Sequence, residues 1–243
     1  EDGQLWGNPL YDWDEMQRRD FGWWLARLAA QLARFDLVRI DHFRALESYW
    51  EVPAGAHTAR AGAWRAGRGT ELLSALRAKF GEIPLVAEDL GLITDAVREL
   101  RDRFELPGMV VAQFAFDGKA DNPHLPANHI PNSVAYTGTH DNDTTVGWWA
   151  GLDAGARAGV TRALDLLGDP VVPDFLIDAV YGSGAQLAVL PMQDLLGLGP
   201  ASRMNSPGTT AGNWSWRFDW DQVDAGLPAL SRARALRSSR LGR

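Results

Sequence analysis

Apolar residues recur along the chain at two alternating periods. Between Glu15 and about Phe35, the residues Phe21, Trp24, Leu25, Leu28 and Leu32 return every three or four positions, which predicts one helix with a single buried face. The preceding segment, "EDGQLWGNPLYDW", sets Gly3, Gly7, Asn8 and Pro9 among Trp6, Tyr11 and Trp13, and so reads as a loop carrying aromatic rings. Next come the short β-branched run "DLVRID", a Gly-rich stretch from Gly55 to Gly69, a helix over Thr70–Phe80 and the apolar run "IPLVAEDLG". The alternation continues with a helix over Thr94–Phe104, a strand in "GMVVAQFAF", a long polar loop rich in Pro and Asn, and "NSVAYTGTHDND". Helical patterns over Ala154–Leu167 and Pro173–Val180 precede a last strand, "AQLAVLP".

Strands that alternate with helices point to a parallel sheet, and near-continuous apolar strands to one covered by its helices. A doubly wound sheet and a barrel share this pattern. Charged residues stand at the carboxyl ends of three strands, as Asp41, Glu88 with Asp89, and His140 with Asp141; in a barrel such ends converge on one face. No Gly-x-Gly-x-x-Gly or Walker loop follows a strand, which removes the usual reason for a doubly wound sheet. The expected fold class is therefore α/β, a (β/α)₈ TIM barrel. Only about five strands are legible where closure requires eight, so roughly three βα units are expected to lie outside this chain. With no internal repeat, low-complexity tract or linker, residues 1–243 read as a single catalytic-barrel portion.

Composition narrows the function. With 243 residues, 46% of them hydrophobic and 23% charged, the chain can bury one sizeable core and is not of the disordered class. A net charge of −7 repels phosphate backbones and anionic lipid, so neither nucleic acid nor membrane is an expected partner. The absence of Cys excludes disulfides, a thiolate nucleophile and a cysteine zinc site, and fits a cytoplasmic protein. No apolar run approaches the roughly 20 residues of a membrane helix. The chain begins at Glu1 rather than Met, so an earlier segment is expected. The tail Asp224–Arg243 has five Arg against one Asp; "LPALSRARAL" reads as a terminal helix with a solvated charged face.

Carboxylates facing one cleft repel, so one can hold a proton near neutral pH while another stays ionised, the arrangement needed for retaining glycosidic cleavage. Single strand-end acids are commonly helix caps or ion-pair members; three at neighbouring strand ends favour chemistry. Arg39 lies two residues before Asp41, on the same side of an extended strand, where it can pair with the carboxylate. His42 and His140 beside these acids raise a zinc alternative. There is no His-x-His or His-Glu-x-x-His, and strand neighbours point to opposite faces, so no metal is expected. His57, His124 and His129 fall in polar loops and suit structural or solvated roles. No Gly-x-Ser-x-Gly elbow suggests a serine hydrolase. Of the 11 Trp, Trp23, Trp24, Trp148 and Trp149 suit packing, whereas Trp6 in the opening loop suits stacking on a ligand such as a sugar.

The segments "GQLWGNPLYDW", "VRIDHFR", "AEDLG", "YTGTHDNDTT", "RMNSPGT" and "GNWSWR" occur in this order, and together the chain from Gly3 to about Asp221 resembles the amylomaltases, also called 4-α-glucanotransferases or disproportionating enzymes. The match corresponds to the carboxy-terminal half of such an enzyme. The resemblance implies a (β/α)₈ barrel with Asp41 ending strand four, Glu88 strand five and Asp141 strand seven. It implies Asp41 as nucleophile, Glu88 as general acid/base and Asp141 as transition-state stabiliser, with Arg39, His140 and Asn205 at bound sugar and Trp6 in the loop covering the acceptor side. The implied substrates are α-1,4-glucans and maltooligosaccharides, with no cofactor, and the implied partner is the amino-terminal half of the same enzyme. Ala45 departs from the Gly that relatives commonly place after "RIDHFR". A related α-glucan hydrolase and a non-catalytic glucan-binding fragment are the alternatives; an isolated portion of a barrel is expected to be inactive.

Overall fold

The carboxylate of Asp12 accepts the Glu15 N–H at 2.9 Å and caps α1 (Trp13–Arg18). The helix expected over Glu15–Phe35 does not run through. Asp20 adopts φ 52°, Asp20 N–H bonds Gln17 O at 2.9 Å and Phe21 N–H bonds Met16 O at 2.8 Å, the Schellman pattern that ends a helix. The chain then restarts as α2 (Gly22–Leu32), whose Leu28 is buried. The structure is a computed structural model describing residues 3–240; the starting Glu1 and the tail's Arg243 lie outside the described residues. The described residues form two units, divided in sequence between Met109 and Val110.

In the first unit, β1 (Val38–Ile40) is followed by β2 (Ser48–Glu51), β3 (Ala63–Ala66), α3 (Gly69–Phe80), β4 (Leu85–Ala87) and α4 (Asp95–Arg103). Strands β1 and β4 pair in parallel, Val38 opposite Leu85 and Ile40 opposite Ala87. The β2–β3 pair is an antiparallel hairpin, and its β3 falls within the segment read as a Gly-rich stretch. Trp50 and Trp64 sit opposite each other there with ring centroids 5.3 Å apart, a cross-strand contact that stabilises an otherwise short hairpin. Leu72, Leu73 and Leu76 of α3 and Val97 and Leu100 of α4 pack on Leu85, Ala87 and Phe43 to form the core. Burying each such Leu contributes about 1.5–3 kcal/mol, and it is this core that holds the ends of β1 and β4 in place.

Strand β5 (Gly108–Val111) contains the boundary between the units and gives way at Ala112–Phe114 to a 3₁₀ turn, shorter than the strand expected from "GMVVAQFAF". The second unit continues with β6 (Ser133–Tyr136), α5 (Thr145–Gly151), α6 (Ala154–Ala163), α7 (Asp174–Gly182), β7 (Leu187–Val189), α8 (Met192–Leu195) and α9 (Leu227–Arg237). The sheet order is β5–β6–β7, and β6 and β7 run parallel with Val134 opposite Leu187. Val160, Phe175, Leu176 and Val180 form its core with Ala135. Trp148 and Trp149 pack against this cluster, and Trp24 against the first unit's core, whereas Trp23 remains 48% exposed with Arg27 over its ring.

The terminal helix forms, but its charged face is not simply solvated. Arg234 is only 4% exposed and pairs with Asp174 at 2.6 Å and Asp178 at 2.8 Å, because an Arg buried against α7 must be neutralised there. Arg240 donates to the carbonyls of Val180, Tyr181, Ser183, Ala185 and Gln186, satisfying acceptors at and beyond the end of α7. Arg234 and Arg240 of the tail are therefore drawn into packing against α7 rather than into an exposed basic surface.

Candidate active site

Asp41 immediately follows β1 and Glu88 immediately follows β4, so the parallel register brings two acids to neighbouring carboxyl ends. The ladder extends past the strands: Glu88 N–H bonds Ile40 O at 3.0 Å, and Phe43 N–H bonds Glu88 O at 3.0 Å. Arg39 and Asp41 share a face as the two-residue spacing predicts, with Nη2 to Oδ1 at 2.7 Å. The Asp41 side chain is 76% exposed, so this carboxylate is both charge-paired and accessible to a ligand. Glu88 is held by backbone donors: His42 N–H to Oε2 at 2.6 Å and Leu90 N–H to Oε1 at 3.2 Å. His42 reaches this position with φ 49°, a left-handed conformation uncommon for a residue other than Gly.

Asp89, adjacent to Glu88, has a different environment. Its side chain is 7% exposed and accepts Arg101 Nη1 at 2.6 Å and the Met109 N–H at 2.8 Å. Burial opposes the charge on Arg101, but hydrogen bonds and charges from Asp102 and Asp89 outweigh it and raise the guanidinium pKa above its ordinary value. Gly108 makes room for this pair, since a Cβ there would lie 2.6 Å from Asp89 Oδ2 and 2.8 Å from Arg101 Nη1. Of the two consecutive acids, Asp89 thus anchors α4 while Glu88 is left to face the strand end.

In the second unit, Asp141 lies in the irregular segment between β6 and α5. Its Oδ1 accepts Asn205 Nδ2 at 2.6 Å, its Oδ2 lies 3.5 Å from His140 Nε2, and its backbone carbonyl accepts Arg203 Nη2 at 2.9 Å. The expectation that His140 and Asp141 point apart assumed a regular strand; past β6 the chain is irregular and the two side chains approach each other. Among the described residues, no group of three or more His, Asp or Glu side chains is arranged to hold a metal ion. The "RMNSPGT" and "GNWSWR" segments interlock, Ser206 N–H bonding Asn213 Oδ1 at 2.9 Å and Trp214 N–H bonding Met204 O at 2.7 Å. This brace presents Asn205 to Asp141 and sets the Trp214 ring 5.1 Å from that of His140.

Trp6 stands in the opening loop, 70% exposed, with its indole N–H on Gln4 Oε1 at 3.2 Å. The loop histidines are structural where they are buried: His129 is 6% exposed with Nε2 at 2.9 Å from His124 O, and His124 Nδ1 accepts Val111 N–H at 3.1 Å. Sequence reading missed Arg203, Trp214 and Asp194. Asp194 is 1% exposed and accepts hydrogen bonds from Thr137 Oγ1, Thr145 Oγ1 and Thr145 N–H. Its signal was a lone acid in the apolar run "AVLPMQDLLGLG", where a charge needs buried partners.

The chain is similar in sequence to a chloroplastic/amyloplastic 4-alpha-glucanotransferase of Arabidopsis thaliana, 48% identical over 218 residues that cover 90% of this chain and 38% of that protein. It is 47% identical over 248 residues to the 4-alpha-glucanotransferase of Thermus thermophilus, covering 99% of this chain and 50% of that protein. The amylomaltase of Streptococcus agalactiae in complex with acarbose superposes with a TM-score of 0.94 at 34% identity, over 99% of this chain and 49% of that one. The chain thus spans about half the length, or less, of these relatives. Residues 1–222 match the family described as 4-alpha-glucanotransferase, and the chain belongs to that family.

Proposed function

We propose that this chain is the carboxy-terminal catalytic portion of a 4-α-glucanotransferase that moves α-1,4-glucan segments between maltodextrins by double displacement. In this reading residues 1–243 are one portion of a (β/α)₈ barrel, holding about strands four to eight, and the amino-terminal half of the same enzyme completes it. The observation that carries the proposal is the accessible, Arg39-paired Asp41 beside a backbone-held Glu88 at neighbouring parallel strand ends. Glu88 protonates the departing glycosidic oxygen while Asp41 attacks C1, giving a glycosyl ester; a glucan hydroxyl, deprotonated by Glu88, then displaces Asp41. Asp141, held by Asn205 and beside His140, stabilises the developing positive charge at the sugar, and Trp6 offers an open ring face for stacking on the acceptor.

The acarbose complex of the Streptococcus agalactiae relative supports an α-glucan-like ligand. Among the described residues no helix is long and apolar enough to cross a membrane. A cytoplasmic location agrees with the lack of Cys, whereas the Arabidopsis relative is named chloroplastic/amyloplastic. The test is to incubate the full-length protein with maltotriose and follow glucose, longer maltodextrins and total reducing ends. Transfer releases glucose and lengthens other chains at constant reducing ends. A rise in reducing ends without longer products assigns a hydrolase, and binding without turnover assigns a glucan-binding protein.

A further inference from the structure

Asp194, on the short helix α8 after β7, is remote in sequence from the candidate catalytic acids Asp41, Glu88 and Asp141, yet its buried carboxylate joins both ends of the segment that carries Asp141 and the sugar-contact candidate His140. Thr137, the first residue after β6, donates its hydroxyl to Asp194 Oδ2 at 2.5 Å. Thr145, the first residue of α5, donates its hydroxyl to the same oxygen at 2.8 Å and its N–H to Oδ1 at 2.7 Å. Between these two threonines lies the loop with His140 and Asp141. Thr137 and Thr145 are 0% exposed and Asp194 is 1% exposed, so the three bonds form in a dry environment, where they are strong and costly to leave unmade.

The loop has further internal ties: Asn142 Oδ1 accepts the Thr139 N–H and hydroxyl at 2.9 and 2.8 Å, and Gln113 Nε2 donates to Asp143 O at 2.9 Å. Gln113 also reaches both sides of the loop, because its own N–H donates to Thr137 O at 3.2 Å. The Asp194 carboxylate adds a tie from the Thr137 side chain to the first residue of α5, one rigid planar group holding both ends. The neighbouring Gln193 donates to Ser202 O at 3.1 Å, immediately before Arg203, which in turn donates to Asp141 O. Helix α8 therefore touches both the Asp141 loop and the segment that supplies Asn205 and Arg203.

We propose that Asp194 is a positioning residue for Asp141: a buried carboxylate clamp across Thr137 and Thr145 that sets the loop presenting Asp141 and His140 to the sugar. The proposal rests on the reading of Asp141 as transition-state stabiliser. A carboxylate stabilising developing charge must be placed to within about half an ångström, so loosening the clamp should lower turnover more than binding.

The test uses the full-length protein, with kcat and KM for maltotriose measured beside the melting temperature. Thr137→Val, Thr145→Val and Asp194→Asn should each lower kcat at least tenfold with KM changed less than threefold. Thr137→Ser and Thr145→Ser keep the hydroxyls and should restore kcat to within threefold of the unmodified protein. In an Asp141→Asn background, Asp194→Asn should add less than threefold to the loss. If Asp141→Asn alone leaves kcat intact, the catalytic reading of Asp141 fails, and the clamp proposal with it. If Asp141→Asn abolishes turnover while the clamp variants keep kcat and only melt earlier, Asp141 stands and the positioning role is overturned. Failure of every clamp variant to fold, including the two Ser variants, would assign Asp194 to stability alone and equally overturn it.

Discussion

The backbone N–H of His42 donates to Glu88 Oε2 at 2.6 Å, so the residue directly after Asp41 holds the carboxyl group of the other candidate catalytic acid in its unit. Placement of the two acids is therefore mechanically linked through the Asp41–His42 peptide unit, and the left-handed His42 turns the chain directly after it. Such a local backbone conformation is justified by function when the surrounding core over-determines it, as the buried Phe43 does here.

Asp41→Asn in the full-length protein should reduce turnover of maltotriose by on the order of 10³-fold or more, because an amide cannot form the glycosyl ester. Mass spectrometry after exposure to a fluorinated glucosyl donor should find the label on Asp41 in the unmodified protein and none in the variant. Arg39→Ala should also lower kcat, yet shift stability by less than about 1 kcal/mol, since its partner Asp41 is largely solvent-exposed.

Glu88→Gln and Asp89→Ala should separate activity from stability at adjacent positions. Glu88→Gln should slow transfer from donors with poor leaving groups far more than from activated ones, with the urea midpoint nearly unchanged. Asp89→Ala leaves Arg101 paired with Asp102 but removes its buried partner and the acceptor of the Met109 N–H, and should cost about 1.5–3 kcal/mol in urea unfolding. Equal loss with good and poor leaving groups in Glu88→Gln would exclude the acid role.

Asn205→Ala removes the hydrogen bond that holds the Asp141 carboxylate in place. Transfer should fall on the order of 10- to 100-fold in kcat, and melting temperature should change little because the bond lies at an exposed site. Asn205→Asp, which places a second carboxylate against Asp141, should be worse than Asn205→Ala.

Burial lowers the pKa of His129, the nearby His124 and Arg240 add to the shift, and the hydrogen bond with the His124 backbone only partly opposes it. The native ring therefore refuses a proton that the unfolded chain accepts near pH 6.5. Stability from this group is complete above that pH and is lost progressively as pH falls from it toward the lower native value. Comparing urea unfolding of the unmodified protein and His129→Gln between pH 8 and pH 5 should show the difference between them changing below about pH 6.5, with the His form losing more.

The sequence by itself determined the parallel α/β character, most helices, the acids after β1, β4 and β6, and the Arg39–Asp41 pairing. These follow from periodicity and short spacings, which act locally along the chain. Helix ends were less legible: α1, α4 and α6 close with left-handed Asp20, Glu105 and Asp165 rather than the Gly that usually signals such an end. The β2–β3 hairpin escaped because its pairing depends on Trp50 meeting Trp64 across a loop, a contact no local window contains. Only tertiary structure decided that Asp89 anchors a helix while Glu88 faces the strand end, that Arg234 is buried between two aspartates, and that Asp194 clamps the Asp141 loop. Each of those fates depends on which partner arrives from tens of residues away to satisfy a buried charge, and a buried charge is decided by its partners rather than by its neighbours in sequence.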